Sequence, residues 1–285
     1  MKFKRIYIEI TNYCNLTCDF CAKNNRPKRF MSLTQFQMIS EQIRFYTDFI
    51  YLHVQGEPLL HPQIREILEI AHSNRLKVQL VTNGTLISQH MDVLKDARSI
   101  RQISVSLQSL LTIEYLNDPV KAIQLYEDII QLSKHGIIIQ LRYWIYNKQV
   151  FTKIMNDCLS YFGIDTDKLN SEKKRYSTQF PQIFFSLDEP FEWPSNPQIR
   201  SALGTCYGTR DMLGILSDGT LVPCCLDHQG VINLGNVFDT SFSVLLDNPL
   251  LNDIRSGFRD HRLIEPFCQS CGYRHRFDKK TVPLD

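Results

Sequence analysis

The chain of 285 residues carries 32 basic and 30 acidic side chains, with 43% hydrophobic and 22% charged residues. That balance fits one large globular domain, or a domain with a small appendage, and leaves no electrostatic footprint for a nucleic-acid binder. No charged-then-apolar signal segment stands before Ile6 and no apolar run approaches the roughly 20 residues of a membrane helix, so a soluble, cytoplasmic protein without membrane or nucleic-acid partners is expected.

From residue 1 to about 190, apolar strand-like runs alternate with amphipathic helix-like runs, the pattern of successive βα units with parallel strands. Strands are expected at Arg5–Ile10, Phe49–Val54, Leu76–Val81, Ile103–Leu107, Ile137–Ile145 and Gln182–Leu187, with helices near 33–47, 62–73, 88–97, 119–134 and 149–163. These units predict an α/β fold, a partial (β/α)6 parallel barrel, in which chemistry gathers at the C-terminal ends of the strands. Nine cysteines in a chain with no secretion signal point to metal ligation rather than disulfides, because the cytosol keeps thiols reduced.

Strand one runs straight into Thr11-Asn12-Tyr13-Cys14-Asn15-Leu16-Thr17-Cys18-Asp19-Phe20-Cys21. Three thiolates are one short of a closed tetrahedral zinc site, whereas a four-iron cluster held by three cysteines keeps one iron open for an exogenous ligand. A zinc knuckle and a redox pair of Cys18 and Cys21 compete as readings of the spacing alone. With Phe20 before the last cysteine, the motif resembles that of the radical S-adenosylmethionine (SAM) superfamily, Cys-x3-Cys-x2-Cys with an aromatic at that place. The resemblance implies that Cys14, Cys18 and Cys21 are catalytic and hold a [4Fe-4S] cluster whose open iron is chelated by SAM. One electron then cleaves SAM to methionine and a 5′-deoxyadenosyl radical, which abstracts a substrate hydrogen. Phe20 is placed beside the cofactor by the same resemblance.

Directly after strand two comes Gln55-Gly56-Glu57-Pro58, similar to the superfamily's Gly-Gly-Glu-Pro, whose backbone and glutamate receive the SAM amino group. Gly56, Glu57 and Pro58 are therefore expected as cofactor contacts, with Gln55 in place of the first glycine; by itself Gly-Glu-Pro reads as a surface turn. Strands three and four end in Val81-Thr82-Asn83-Gly84 and Ser104-Val105-Ser106-Leu107-Gln108-Ser109. These resemble superfamily segments in which Thr82, Asn83 and Ser106 would hydrogen-bond the ribose or amino-acid end of SAM, although relatives often carry Asp where Gln108 stands. Strand five puts Gln140 and Arg142 on one side by its period of two. An arginine inside an apolar strand needs a partner, either a carboxylate of SAM or substrate in the lumen or a carboxylate of the protein.

From Asn147 to Ser195 the pattern loosens toward a linker, with Cys158 read as a buried structural thiol on a helix. After Cys206, residues 212–225 read as two apolar runs joined through Asp218-Gly219, a tight-hairpin dipeptide, and ending in Cys224-Cys225. A helical stretch ending near Phe258 leads to Cys268 and Cys271. Cys206, Cys224, Cys268 and Cys271 suit either zinc or a four-iron cluster. The set resembles the auxiliary-cluster appendage called SPASM, and more closely its shortened form, Twitch. By that resemblance Cys224, separated from Gly219 by four residues, rather than Cys225, is a ligand, and one auxiliary [4Fe-4S] cluster is expected. The expected organisation is a barrel with linker over 1–195 and a small cysteine-ligated domain, with a β-hairpin and a helix, over 196–285.

What the resemblance implies for function is hydrogen abstraction from an organic substrate with the auxiliary cluster taking up an electron, as in relatives that dehydrogenate aminocyclitols. The enzyme would then be an oxidoreductase served by an external one-electron reductant such as flavodoxin or ferredoxin. The alternative is modification of a peptide, against which the lack of a leader-binding domain before the barrel counts; the non-enzyme alternative is a zinc-stabilised interaction module.

Overall fold

In the computed structural model, residues 2–144, 152–169, 175–194 and 201–277 are described. The strands are β1 (Arg5–Ile8), β2 (Phe49–Tyr51), β3 (Lys77–Thr82), β4 (Ile100–Ser106), β5 (Ile138–Trp144), β6 (Arg175–Ser177), β7 (Ile183–Asp188), β8 (Met212–Ile215) and β9 (Leu221–Val222). The α-helices are α1 (Leu33–Ile43), α2 (Ile64–Ser73), α3 (Met91–Asp96), α4 (Leu107–Thr112), α5 (Pro119–Lys134), α6 (Lys153–Tyr161), α7 (Phe242–Leu245), α8 (Pro249–Arg259) and α9 (Pro266–Gln269). Helix starts are written locally: Ser32 and Gln35 close a capping box on α1, and Asp118 and Asn248 cap α5 and α8 with proline at the first helical position.

All strands join one sheet in the order β6-β7-β5-β4-β3-β2-β1-β8-β9. The pairs from β7 through β1 to β8 are parallel, while β6 and β9 run antiparallel at the two edges. Among the described residues no pairing joins β6 to β9, so the barrel is open. The expected strands all form, and β8 adds itself to β1 with Arg5 opposite Met212 and Ile8 opposite Ile215. The hairpin expected after Asp218-Gly219 is therefore a continuation of the barrel sheet, and the two stretches of sequence divided near residue 195 share it.

Alternation along the strands sorts the chain into two faces. Ile6, Ile50, Val78, Leu80, Ile103, Val105, Ile139, Leu141 and Phe185 are buried in one core with Phe36, Ile39, Ile67, Leu125 and Ile129 of the covering helices. On the opposite face Tyr7 lies beside Tyr51, Tyr51 beside Gln79, and Gln79 beside Gln102. That second face lines the lumen. Helix α4 and strand β6 were not expected. The helix read at 149–163 is seen as α6, its first residues and Ile145 lying outside the described residues. Cys158 is fully buried in α6. No helix among the described residues is long and apolar enough to cross a membrane.

Candidate active site and cofactor centres

The loop after β1 is shaped by buried polar side chains. The Thr11 hydroxyl donates to the Arg29 carbonyl at 3.0 Å, Asn12 donates to the Pro27 carbonyl at 2.9 Å, and the Asn12 amide oxygen accepts from the Arg29 N–H at 2.9 Å. Between these staples the loop displays Cys14, Cys18 and Cys21 on the wall of a cavity of about 1210 Å³. Burial raises the pKa of Cys14 and Cys18 and pushes Cys21 up to about 11, with Cys14 and Cys18 beside Cys21 adding to the rise. Desolvated thiols that raise one another are held as thiolates only by positive charge among them, which is the donor set an iron-sulfur cluster takes.

The turn after β2 is built against this loop. The Glu57 N–H donates to the Tyr13 carbonyl at 2.7 Å, and Gly56 has φ +84°, so a Cβ there would lie 2.4 Å from the Thr11 carbonyl oxygen and 2.7 Å from that of Tyr13. Only glycine fits. Gly56→Ala is expected to lower stability by about 1–3 kcal/mol, read as a lower Tm together with faster alkylation of Cys14 in the metal-free protein. Gln55, in place of the family glycine, donates its side-chain amide to the Ala22 carbonyl at 2.7 Å, just past Cys21.

Glu57 is almost wholly buried and accepts the N–H of Leu59 at 3.1 Å and of Asn83 at 2.7 Å. Burial pushes its carboxyl up to about 7 against these hydrogen bonds. It thus joins the ends of β2 and β3. Asn83 donates to the Asn15 amide oxygen at 2.9 Å and approaches the Cys14 sulfur at 3.9 Å, while Ser109, on α4, hydrogen-bonds the Cys18 thiol. Phe20, Gly56, Glu57, Thr82, Asn83, Ser106 and Arg142 all line the cavity. Pro58 does not; it is buried at the start of a turn of 3-10 helix (Pro58–Leu60).

Across the lumen floor, Gln102 donates to Gln140 at 2.9 Å, Gln140 accepts from Ser104 at 3.2 Å and donates to Ser186 at 2.8 Å. Arg142 projects into the lumen as expected, and among the described residues no carboxylate pairs with it. Opposite stands His53, whose Nδ1 is buried without a partner. Burial, and then the charge of Arg142, lowers its pKa to about 3, so the ring is neutral.

Cys206, Cys224, Cys268 and Cys271 line the far end of the same cavity. The Thr209 N–H donates to the Pro223 carbonyl at 3.0 Å, which brings the stretch after Cys206 onto the stretch before Cys224. Burial raises Cys224 and Cys268 well above the ordinary thiol and Cys206 to about 11; their proximity to one another and to Cys271 adds to the rise. No three His, Cys, Asp or Glu among the described residues stand close enough to hold a single metal ion. Four desolvated thiols near one another are a complete donor set for a fully cysteine-ligated four-iron cluster or for zinc. Cys225 lines the same cavity and hydrogen-bonds the Tyr7 hydroxyl.

One residue of the site went unread in the sequence. Glu9, fully buried at the end of β1, accepts from Arg26 at 2.7 and 2.6 Å, from the Ser217 N–H and hydroxyl at 3.2 and 2.9 Å, and from the Gln55 N–H at 3.2 Å. Arg26 also donates to the His228 carbonyl at 2.6 Å. The signal was there: a charge between Ile8 and Ile10 in an apolar strand, the same oddity that drew notice to Arg142.

Residues 8–138 match the radical SAM superfamily, and residues 206–272 match an iron-sulfur cluster-binding domain, SPASM. The chain belongs to the radical SAM superfamily and carries a SPASM domain. Two [4Fe-4S] clusters, one that binds SAM and one auxiliary, go with these domains. The chain is 24% identical to the antilisterial bacteriocin subtilosin biosynthesis protein AlbA of Bacillus subtilis over 93% of its own length, and it spans 65% of that relative's length. Its fold is similar to that of BtrN in complex with AdoMet and 2-DOIA, with a TM-score of 0.61, 16% identity, and 95% of this chain and 94% of that one covered. It is also similar to Streptococcus suis SuiB bound to S-adenosylmethionine, with a TM-score of 0.62, 20% identity, and 90% of this chain and 68% of that one covered.

Proposed function

We propose that this radical SAM enzyme oxidatively modifies a peptide, with Cys14, Cys18 and Cys21 holding the SAM-binding cluster and Cys206, Cys224, Cys268 and Cys271 the auxiliary one. The observation that carries this reading is one cavity, opened on by both cysteine groups and poor in available carboxylates. Of its acidic lining residues, Asp19 is exposed on the cysteine loop, Glu57 is engaged by backbone N–H groups, and Asp188 is paired with Arg276 at 2.7 Å. Among the described residues a cationic aminocyclitol would find only Asp19, exposed on the cysteine loop, as an unengaged carboxylate of the lining, whereas a neutral peptide segment needs none. The similarity to AlbA along nearly the whole chain supports the same substrate class. A second reading, dehydrogenation of a small molecule, is favoured by the match with BtrN over nearly the full length of both chains.

Bound in these places, the first cluster with SAM supplies a hydrogen-abstracting 5′-deoxyadenosyl radical and the auxiliary cluster an electron acceptor. The chain's own groups do the rest: Ser106 and Arg142 receive a carboxylate, Thr82 and Asn83 the polar end of SAM, and Phe20 packs beside it. An external one-electron reductant such as flavodoxin or ferredoxin completes the system.

The test offers the reconstituted enzyme, with SAM and dithionite, the peptides encoded beside its gene and a panel of aminocyclitols. A mass change in a peptide is expected; a change confined to a cyclitol overturns the reading. In the same assay Cys268→Ala/Cys271→Ala is expected to keep forming 5′-deoxyadenosine while the modified peptide disappears, provided circular dichroism shows the fold intact. Product in proportion to 5′-deoxyadenosine would leave the second cluster a purely structural part.

A further inference from the structure

Between the two cysteine groups lies a wall of aromatic side chains, of which only Phe20 has been given a part in cofactor binding. Phe20 meets Trp144 at 5.3 Å between ring centroids, Trp144 meets Phe191 at 5.8 Å, and Phe191 meets Trp193 at 5.1 Å and Tyr273 at 5.0 Å. The wall starts one residue before Cys21, ends two residues after Cys271, and lines the cavity throughout. Its members come from four separate places: the cysteine loop, the end of β5, the segment after β7 and the turn after α9.

These rings differ from the aromatics of the core. Phe36, Phe162 and Phe185 are fully buried, whereas each ring of the wall is half-buried at the cavity surface. Their positions are nonetheless pinned. The Trp193 indole N–H donates to the Phe20 carbonyl at 2.9 Å, and Arg276, paired with Asp188 at 2.7 Å, lies 4.5 Å from the Tyr273 ring centre and 5.8 Å from that of Phe191. Half-buried rings, three of their four contacts edge-to-face and the fourth tilted, are held in place and offer apolar surface to an incoming group without having to be reordered.

Charge decides what that group is. Aromatic faces attract cations, but Arg276 already takes the Tyr273 face and the Asp188 carboxylate, so a second cation there meets like charge. An anion would face the negative side of the rings. We infer that the wall is a subsite for an aromatic or large apolar side chain of the substrate, next to the residue that is modified; this rests on the peptide reading above.

The chain has two tryptophans, and both, Trp144 and Trp193, stand in this wall. The reconstituted enzyme with SAM, labelled with 5-fluorotryptophan, gives one fluorine resonance for each. Titration with the N-acetyl amides of phenylalanine and leucine is expected to move both resonances saturably, while the lysine and glutamate amides at equal concentration leave them in place. Phe191→Ala removes the central ring without touching a cysteine, and is expected to weaken the phenylalanine amide about tenfold. Phe191→Leu, which keeps volume and fold, should weaken the phenylalanine amide while retaining the leucine one. Equal shifts with the lysine amide, no shift with any probe, or unchanged affinity in both variants overturns the subsite. If a peptide is modified while both resonances stay fixed, the subsite alone fails; if the apolar amides bind and only a small molecule is ever modified, the peptide reading fails.

Discussion

Anaerobically prepared enzyme is expected to carry about eight irons per chain, four for each cysteine group, and the Cys14→Ala/Cys18→Ala/Cys21→Ala variant about four, with 5′-deoxyadenosine formation from SAM abolished. The loss should be complete because the loop offers no substitute. Cys158 is buried in α6, Cys225 faces Tyr7, and the other four cysteines surround the far end of the cavity. Replacing all three thiols also removes the chance that two of them retain a damaged cluster. Iron and sulfide analysis with chromatography of the nucleoside checks both halves of the statement. Undiminished 5′-deoxyadenosine in the triple variant would sink the ligand assignment, and zinc in place of the remaining iron would make the second centre structural.

The second large effect is expected at Glu9, through stability rather than chemistry. Its carboxylate is fully buried, its partner Arg26 has a side chain only 11% exposed, and three parts of the chain meet on it: the cysteine loop through Arg26, the turn after β2 through Gln55, and the β8–β9 turn through Ser217. Glu9→Ala leaves a guanidinium buried without its counter-charge and two N–H groups without an acceptor. Breaking a buried pair in this way costs about 3–5 kcal/mol, a fall in Tm of about 10 °C for a domain of this size. Thermal melting followed by circular dichroism reads the first number. Because the latch also ties down the loop, trypsin should cut more quickly at Lys23, Lys28 or Arg29 in the variant. A Tm within a degree of the parent and an unchanged tryptic pattern would mean that the loop is held by Gln55, His228 and Trp193 alone.

The link through Glu9 bears on how the two centres depend on one another. Arg26, Gln229 and Trp193 all reach across between the cysteine loop and later parts of the chain: Arg26 to the His228 carbonyl at 2.6 Å, Gln229 to the Lys23 carbonyl at 2.7 Å and Trp193 to the Phe20 carbonyl at 2.9 Å. The backbone around Cys21 is thus held partly by the SPASM region. For that reason the Cys268→Ala/Cys271→Ala experiment compares 5′-deoxyadenosine with product in one reaction, so that a general loosening, which lowers both, is separated from loss of the acceptor, which lowers product alone.

Local features of this protein were legible in its sequence because each depends on residues close together in the chain. The x3 and x2 cysteine spacing, the apolar runs of the barrel strands, the Gly-Glu-Pro turn and the Asp218-Gly219 hairpin are of this kind, and all of them form. The period of two in strand five likewise placed Arg142 in the lumen. What remained hidden was set by partners far away in sequence. Glu9 is 208 residues from Ser217, and the aromatic wall joins Phe20 to Tyr273. Spacing left Cys224 and Cys225 both open as ligands. Tertiary contacts supply what spacing lacks: Cys225 meets the Tyr7 hydroxyl, while Cys224 stands beside Cys225 and near Cys206, Cys268 and Cys271. The physical reason is that both cysteines lie beyond β9, where strand alternation no longer assigns a side, so only contacts from distant parts of the chain, Tyr7 at one thiol and the remote cysteines at the other, set their surroundings.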